Sequence, residues 1–157
     1  MKSEAPSDSP APFTTRRRVE FRDTDAAGIV HFSAFFYWME SAEHELLRAA
    51  GVEVFHRQPD GTESSWPRVS ASCDYRSAVR FGDEIDIAVQ VALGRSSVTY
   101  RFVFEHAGRL VAEGRVVAVR CLLGPGGTLE PAPIPEAIAM RLVGVTRGTR
   151  PTPESSG

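Results

Sequence analysis

Ten consecutive residues decide how this chain folds: Asp23-Thr24-Asp25-Ala26-Ala27-Gly28-Ile29-Val30-His31-Phe32. A strand-like run, 18–22, precedes them, in which Val19 and Phe21 alternate as the inward side chains of a strand do. After them, residues 33–50 carry apolar side chains at the i, i+3, i+4, i+7 spacing of a helix. The ten residues are therefore predicted to form a short loop, with two acids and a glycine, between a strand and a long buried helix.

The predicted helix has recognisable ends. Ser33 is a residue type that favours the position before the first helical turn, and Gly51 suits the position after the last one. Tyr37 and Trp38 lie partly off the main apolar stripe. A helix that is apolar on more than one side is expected to be covered by a sheet and by a partner subunit.

The loop places carboxylates beside a helix start, where backbone N–H groups are unpaired and carry partial positive charge. This arrangement suggests chemistry on a carbonyl group, in which N–H groups hold a developing oxyanion while a carboxylate attacks or activates water. Two other interpretations stay open from the residues alone. Asp23 or Asp25 also suits a turn or a helix start as a partner of N–H groups. Paired acids can also bind a metal, although no second cluster of ligands stands nearby at usable spacing.

Strand patterns dominate the rest of the chain. Alternating apolar residues predict strands near 69–75, 85–93, 98–104 and 110–123, and glycine turns join the last three into an antiparallel meander. Residues 51–66 are predicted to be irregular, and a short helix is predicted after Pro133. One strand, one long helix and four more strands exclude a doubly wound sheet, which needs helices between most strands. The prediction is an α+β fold in which a five-stranded antiparallel sheet wraps the long helix.

Composition sets the limits on organisation and on partners. The 157 residues, with 42% hydrophobic side chains, suit one domain at 14–147. The Ser- and Pro-rich segments 1–13 and 148–157 are predicted to be disordered. A net charge of −2 gives no pull toward nucleic acid or an anionic membrane, and no apolar run suits a membrane span or a signal peptide. Cys73 and Cys121 are too few to staple the domain, so a cytoplasmic protein is expected.

A family resemblance rests on the D-x-D-x-x-G-I-V run at 23–30 and on the aromatic-rich helix that follows, with Trp38-Met39-Glu40. This pattern resembles the 4-hydroxybenzoyl-CoA thioesterase family and is similar to its branch of Tol-Pal-associated acyl-CoA thioesterases. It covers residues 16–142 by motif and element order. The resemblance implies the hotdog fold, a curved antiparallel sheet around a long helix. It also implies an acyl-CoA thioesterase, which cleaves an acyl- or aroyl-CoA with water to the free acid and coenzyme A.

The resemblance also implies site residues. The family's catalytic acid is the second acid of the motif and falls on Asp25, and the family's oxyanion donor is a backbone N–H that falls on Phe32. Gly28 is expected to belong to the substrate-binding part of the loop. His31 is a candidate for orienting water or lining the pocket, although the Tol-Pal branch carries its histidine one position later.

Three further residues are candidates for binding substrate. Arg95 stands in a turn that resembles the basic turn by which relatives contact coenzyme A phosphates, and the alternative is a solvated arginine. Ser70 and Ser72 are candidates for holding a water or the substrate carbonyl, and the alternative is a pair of solvent-facing serines. No metal or bound cofactor is expected, because coenzyme A enters as part of the substrate.

The expected partners are the acyl-CoA substrate and a second copy of the chain. A single sheet around one helix leaves an edge strand and apolar side chains exposed, and relatives pair their sheets edge to edge. A homodimer or a dimer of dimers is therefore expected. Two other functions stay open: a non-catalytic hotdog module that binds acyl-CoA, and a hotdog hydratase or dehydratase. The second needs a base such as a histidine, for which His31 is the candidate.

Overall fold

A computed structural model describes residues 11–146 of the chain. Most of the two segments predicted to be disordered, 1–13 and 148–157, lies outside these residues. The first strand begins at Phe13, which is half-buried and pairs with Val89, so the predicted leader extends one residue too far. Within residues 11–146, no helix is long and apolar enough to cross a membrane.

The described chain holds two helices and nine strands. The helices are α1 (Ala34–Ala50) and α2 (Glu136–Val145). The strands are β1 (Phe13–Arg18), β2 (Phe55–Arg57), β3 (Glu63–Ser65), β4 (Arg68–Tyr75), β5 (Glu84–Leu93), β6 (Ser97–His106), β7 (Arg109–Val119), β8 (Cys121–Leu123) and β9 (Leu129–Pro131).

The main sheet has five antiparallel strands in the order β1-β5-β6-β7-β4. The predicted α+β fold and the β5–β6–β7 meander are therefore confirmed. Helix α1 packs against one face of the sheet, because its apolar stripe is buried among the inward side chains of the strands. Gly114 on β7 permits this close approach, since a Cβ atom there would clash with the Sδ of Met39.

Aromatic side chains fill the space between helix and sheet. Tyr100, Phe102 and Phe104 follow one another on the inner face of β6, and all three are buried. The Phe35 ring of α1 meets the Phe104 ring edge to face at 5.3 Å between centroids. The alternation that predicted β6 therefore also identifies the residues that hold α1 against the sheet.

The prediction of the first strand is wrong in position. Strand β1 ends at Arg18, and Phe21 lies in a 3-10 turn (Phe21–Asp23) with 78% of its surface exposed. After Phe13, the inner face of β1 is polar, because Thr15 donates a hydrogen bond to Glu45 of α1 and Arg17 donates to Ser41 and Glu45. A strand whose inner side chains pair with a polar stripe of a helix shows no apolar alternation, so its position was not visible in the sequence.

A second, small sheet was not predicted. Its order is β2-β3-β8-β9, and each strand has three residues. Two of these strands lie in the segment 51–66 that was predicted to be irregular. The long predicted strand 110–123 is divided at Arg120, whose N–H donates to the Ser96 carbonyl. Strands this short carry too few residues to show a period of two.

Candidate active site

The loop that joins β1 to α1 is a tight hairpin. Thr24 and Val30 form a bridge at its base, and the Asp25 N–H donates to the Ile29 carbonyl at 2.8 Å. The Gly28 N–H closes the turn on the Asp25 carbonyl at 3.0 Å. Gly28 has a φ of +76°, which other residue types adopt only with strain. Aspartate at the start and glycine at the end of this turn therefore explain why these residue types stand at this spacing.

The two acids of the loop have different surroundings. One carboxylate oxygen of Asp23 accepts the Glu20 N–H at 2.8 Å, and the Asp23 carbonyl accepts the His31 N–H at 2.8 Å. Asp23 therefore braces the loop. Asp25 is half-buried, and its Oδ1 accepts the Ala27 N–H at 2.8 Å. Within residues 11–146, its Oδ2 has no hydrogen-bond partner, so one oxygen of Asp25 is held in place and the other is available for chemistry.

The backbone N–H of Phe32 stands out from those beside it. The His31 N–H donates to the Asp23 carbonyl, and the Ser33 N–H donates to the Nδ1 of His31 at 3.2 Å. The Phe32 N–H has no acceptor in the described part of the chain. The Phe32 carbonyl accepts the Tyr75 hydroxyl at 2.9 Å, so the residue is fixed from the other side. A fixed backbone N–H without a partner is suited to binding an oxyanion.

Asp25 and Phe32 line the same cavity, of about 380 Å³. Phe35 of α1 and Tyr75 of β4 form an aromatic part of its wall, with ring centroids 5.2 Å apart. Burial raises the pKa of Tyr75 to about 12, so its hydroxyl keeps its proton and can donate to the Phe32 carbonyl. The cavity therefore combines a carboxylate, a free backbone N–H and apolar walls.

The other wall, residues 75–79, was not predicted as part of the site. It reaches the loop through the Val30 N–H, which donates to the Val79 carbonyl at 2.9 Å. The Ser77 hydroxyl donates to the Leu110 carbonyl at 2.6 Å and ties the wall to β7. These pairings join residues far apart in sequence, and the segment has no pattern that would have predicted them.

His31 and Gly28 have local structural roles. The Nδ1 of His31 lies 2.7 Å from the Ser33 hydroxyl, and its ring lies on the Phe32 ring at 4.4 Å. The Ser33 side chain therefore contacts His31 and does not cap α1. Neither His31 nor Gly28 lines the Asp25 cavity in the protomer. A catalytic role for His31 and a substrate contact for Gly28 remain predictions.

The structure does not bring Ser70 and Ser72 to the Asp25 cavity of the same protomer. They pair with Val117 and Arg115 of β7 and lie exposed on the outer face of β4. A β-bulge between Arg68 and Ser70 resets the alternation of the strand. A role for the two serines in the cavity of their own chain is therefore not supported by their position.

Arg95 is also remote from the cavity of its own chain. Arg95 follows the C-terminal end of β5. The N-terminal end of β5 lies near the loop, because the carbonyl of the preceding residue, Asp83, accepts the Val19 N–H. A strand of 10 residues spans about 33 Å. Arg95 and Asp25 therefore lie at opposite ends of the main sheet, and a joint role requires a second chain.

Comparisons with known proteins bear on the family and the fold of this chain. The profile of the Thioesterase-like superfamily matches residues 19–142. A 1,4-dihydroxy-2-naphthoyl-CoA hydrolase of Synechococcus elongatus is 30% identical over 129 residues, which are 82% of this chain and 93% of that protein. The structure of a gentisyl-coenzyme A thioesterase has a TM-score of 0.69 at 27% identity and covers 82% of this chain and 98% of its own. A 1,4-dihydroxy-2-naphthoyl-CoA thioesterase from Synechocystis has a TM-score of 0.74 at 22% identity, which shows the shared fold, over 84% of this chain and 96% of its own.

The fold and these relatives thus identify a hotdog-fold thioester hydrolase. The chain belongs to the thioesterase-like superfamily. The resemblance to hotdog thioesterases is therefore confirmed at this level. The named relatives are 1,4-dihydroxy-2-naphthoyl-CoA and gentisyl-CoA thioesterases, and they do not single out the 4-hydroxybenzoyl-CoA or Tol-Pal branch.

Proposed function

We propose that this thioesterase hydrolyses an aroyl-CoA thioester to the free aromatic acid and coenzyme A, with Asp25 as the catalytic carboxylate and the Phe32 N–H as the oxyanion donor. One observation carries the proposal: a carboxylate oxygen and a backbone N–H, both without partners in the described chain, belong to residues that line one cavity. The proposed reaction uses no metal or bound cofactor, and the proposed location is the cytoplasm. Neither nucleic acid nor a membrane is a proposed partner.

The proposed chemistry begins when the thioester carbonyl accepts the Phe32 N–H. Either Asp25 attacks the carbonyl carbon and water hydrolyses the resulting anhydride, or Asp25 takes a proton from a water that attacks directly. In both routes the carbon–sulfur bond breaks, and the coenzyme A thiolate leaves and takes up a proton. The N–H stabilises the charge that develops on the carbonyl oxygen, which is where preorganised donors contribute most to the rate.

An aromatic acyl group is favoured by the wall of the cavity. Phe35 and Tyr75 present aromatic surface there, beside the apolar side chains of Ile29 and Val30. Relatives named for 1,4-dihydroxy-2-naphthoyl-CoA and gentisyl-CoA support the same class. Membership in the 4-hydroxybenzoyl-CoA branch, or in its Tol-Pal-associated part, is a narrower form of this proposal.

A screen of thiol release over aromatic, short, medium and long acyl-CoAs tests the proposed function. We expect the highest kcat/KM with an aromatic ester. Binding of acyl-CoA without thiol release would identify a non-catalytic module instead. Hydration of an unsaturated acyl-CoA without thiol release would identify a hydratase.

The proposed assembly is a homodimer, or a dimer of dimers, that pairs β4 edge to edge. Strand β4 is an edge of the main sheet and exposes 63% of Val69 and 45% of Tyr75. The other edge, β1, carries three arginines in a row, and charged side chains commonly protect an edge from pairing. Light scattering at micromolar concentration is expected to give a dimer or a tetramer. Val69→Lys is expected to shift the protein toward monomer. Thr14→Lys on the β1 edge is the matched control and should keep the wild-type assembly. A monomeric wild type would contradict the proposed assembly.

Arg95→Ala is expected to raise KM for acyl-CoA with little change in kcat, because a phosphate contact binds substrate and transition state alike. The arginine would act on the substrate of the other protomer, given its distance from Asp25 in its own chain. A short thioester that lacks the nucleotide should be affected less. Steady-state kinetics with both substrates check this, and equal losses on the two would make Arg95 a structural residue.

A further inference from the structure

An ion pair with a buried carboxylate joins α1 to the edge strand β4. The Glu43 side chain is 1% exposed, and its Oε1 accepts an Nη2 hydrogen bond of Arg68 at 2.8 Å. Its Oε2 is buried without a hydrogen-bond partner. Burial raises the pKa of Glu43, and the Arg68 charge opposes that rise. Burying a carboxylate costs free energy that one ion pair does not fully offset, so this pair is a poor candidate for a purely stabilising role and a candidate for function.

Only one nitrogen of the Arg68 guanidinium, Nη2, has hydrogen-bond partners within the described part of its own chain. Its Nη2 also lies 3.2 Å from the Nε2 of His44, and 29% of its side chain is exposed. Within residues 11–146, Nε and Nη1 have no hydrogen-bond acceptor. Arg68 pairs with Ala118 of β7 and therefore lies on the inner face of the sheet, on the same side as α1. Glu43 thus fixes a guanidinium that keeps free donors on the inner face of an exposed edge.

In the dimer proposed above, we take the two β4 strands to pair along their whole length, which places the two-fold axis at the midpoint of Arg68–Tyr75. When two copies of β4 pair antiparallel about an axis near Ser72, the start of one strand lies beside the end of the other. Tyr75 of one protomer then lies beside the bulge at Arg68 of the partner subunit, and both side chains are on the inner face. Tyr75 lines the Asp25 cavity. The Arg68 that belongs to the same chain as this cavity stands at the opposite end of β4.

We propose that Arg68 of the partner subunit, positioned by the partner's Glu43, completes the acyl end of each Asp25 cavity. There it donates a hydrogen bond to an oxygen of the acyl group remote from the thioester. This inference rests on the proposed function and makes Arg68 a specificity-determining residue. The acyl class that it selects is an oxygen-substituted one, such as a hydroxyaroyl group, because guanidinium N–H groups donate and do not accept. Glu43 is a positioning residue, since it acts through Arg68.

The experiment compares kcat/KM for 4-hydroxybenzoyl-CoA with kcat/KM for benzoyl-CoA, which differ by one hydroxyl group. The variant is Glu43→Gln with Arg68→Met, which removes the arginine without leaving a buried charge unpaired. We expect the ratio of the two values to fall at least about tenfold, the usual size of losing a hydrogen bond to a charged group. Arg101→Met, on the exposed outer face of β6, is the matched control and should keep the wild-type ratio.

A hybrid dimer shows which chain supplies the arginine. One chain carries Asp25→Asn, and the other carries Glu43→Gln with Arg68→Met; two different affinity tags allow the hybrid to be purified. The site with an intact Asp25 then receives its Arg68 from the other chain, so the wild-type ratio is expected to return. A hybrid that keeps the lowered ratio of the double variant would overturn the proposal, and so would a double variant with the wild-type ratio.

Two further results distinguish a failure of the proposed function from a failure of the role proposed for Arg68. A wild type that releases no thiol from any acyl-CoA refutes the proposed function and, with it, the proposal that rests on it. A wild type that is active while the hybrid shows no recovery overturns the role of Arg68 alone. Should the double variant fail to fold, Glu43→Met with Arg68→Met replaces both members of the pair by apolar side chains and removes the donor, and a wild-type ratio in that variant would also overturn the proposal.

Discussion

Asp25→Asn is expected to lower turnover by at least about a hundredfold, the lower end of the loss for an acid–base group. Asparagine keeps the shape of aspartate and can still accept the Ala27 N–H through its carbonyl oxygen. It cannot ionise, so it serves neither as a nucleophile nor as a base. The variant should therefore fold, melt close to the wild-type temperature and still bind acyl-CoA. Binding is expected to be equal or tighter, because a negative charge next to the thioester is absent.

Asp23→Asn is the matched control in the same loop. Asp23 accepts the Glu20 N–H and lies outside the cavity that Asp25 lines. We expect a smaller loss of turnover and a larger loss of thermal stability than for Asp25→Asn. Thiol release and a melting curve for each variant provide both readouts. Normal turnover in Asp25→Asn together with a large loss in Asp23→Asn would reverse the assignment of the two acids.

Phe104→Ala is expected to have the largest effect on stability, about 3–5 kcal/mol for truncating a buried aromatic side chain. Phe104 is fully buried on β6 and contacts Phe35 of α1 and Phe102 of its own strand. Its removal leaves a cavity where the helix meets the sheet, directly behind the aromatic wall of the site. The melting temperature should fall on the order of 10 °C, since about 2–4 °C is lost per kcal/mol in a chain of this length.

The same substitution at an exposed position is the control for this effect. Phe21 has 78% of its surface exposed and meets the Phe81 ring edge-on at 6.3 Å. Phe21→Ala should change stability by well under the loss at Phe104, because little surface is removed from water when this ring folds into place. Chemical denaturation of both variants measures the difference. Equal losses would mean that the β6 face is not the principal contact between sheet and helix.

The long helix and the meander were predictable because one face of each element is buried against apolar side chains and the other is exposed. One stripe of α1 is buried along its whole length, and Gly51 ends it with a φ of +67°. Strands β5 and β6 bury every second residue over most of their length, so a period of two is visible in the sequence. Periodicity reports burial on one face, and these elements have it.

Strands that are very short, or whose inner face is mostly polar, were not predicted, because they show no apolar periodicity. Strand β1 turns Thr15 and Arg17 toward Glu45 and Ser41 of α1, so Phe13 at its start is the one apolar residue on its inner face. Strands of three residues, such as β2, are stabilised by partners that lie distant in sequence. Their positions depend on tertiary contacts that a local pattern does not contain.

The candidate site shows a similar division. Asp25 and Gly28 stand out in the loop motif, because such a turn favours an acid at its start and a glycine at its end. Of the two, only Asp25 lines the cavity, and its proposed catalytic role came from the family resemblance. The importance of Phe32 lies in its backbone, and no side-chain pattern reports whether an N–H has a partner. Its role was inferred from the family resemblance. Only the structure shows that the N–H groups of the residues on either side have acceptors while that of Phe32 has none in the described chain. The wall at 75–79 depends on pairing with Val30 and had no local signal.

The most direct test measures both products of the reaction, free thiol and free acid, when the wild-type protein is mixed with benzoyl-CoA and with 4-hydroxybenzoyl-CoA. The account predicts that the two products appear in equal amounts, well above the uncatalysed rate, and that Asp25→Asn abolishes most of this release. Release at the uncatalysed rate from every acyl-CoA would contradict it. Thiol release by Asp25→Asn at the wild-type rate would also contradict it, since the Asp25 carboxylate would then have no part in the chemistry.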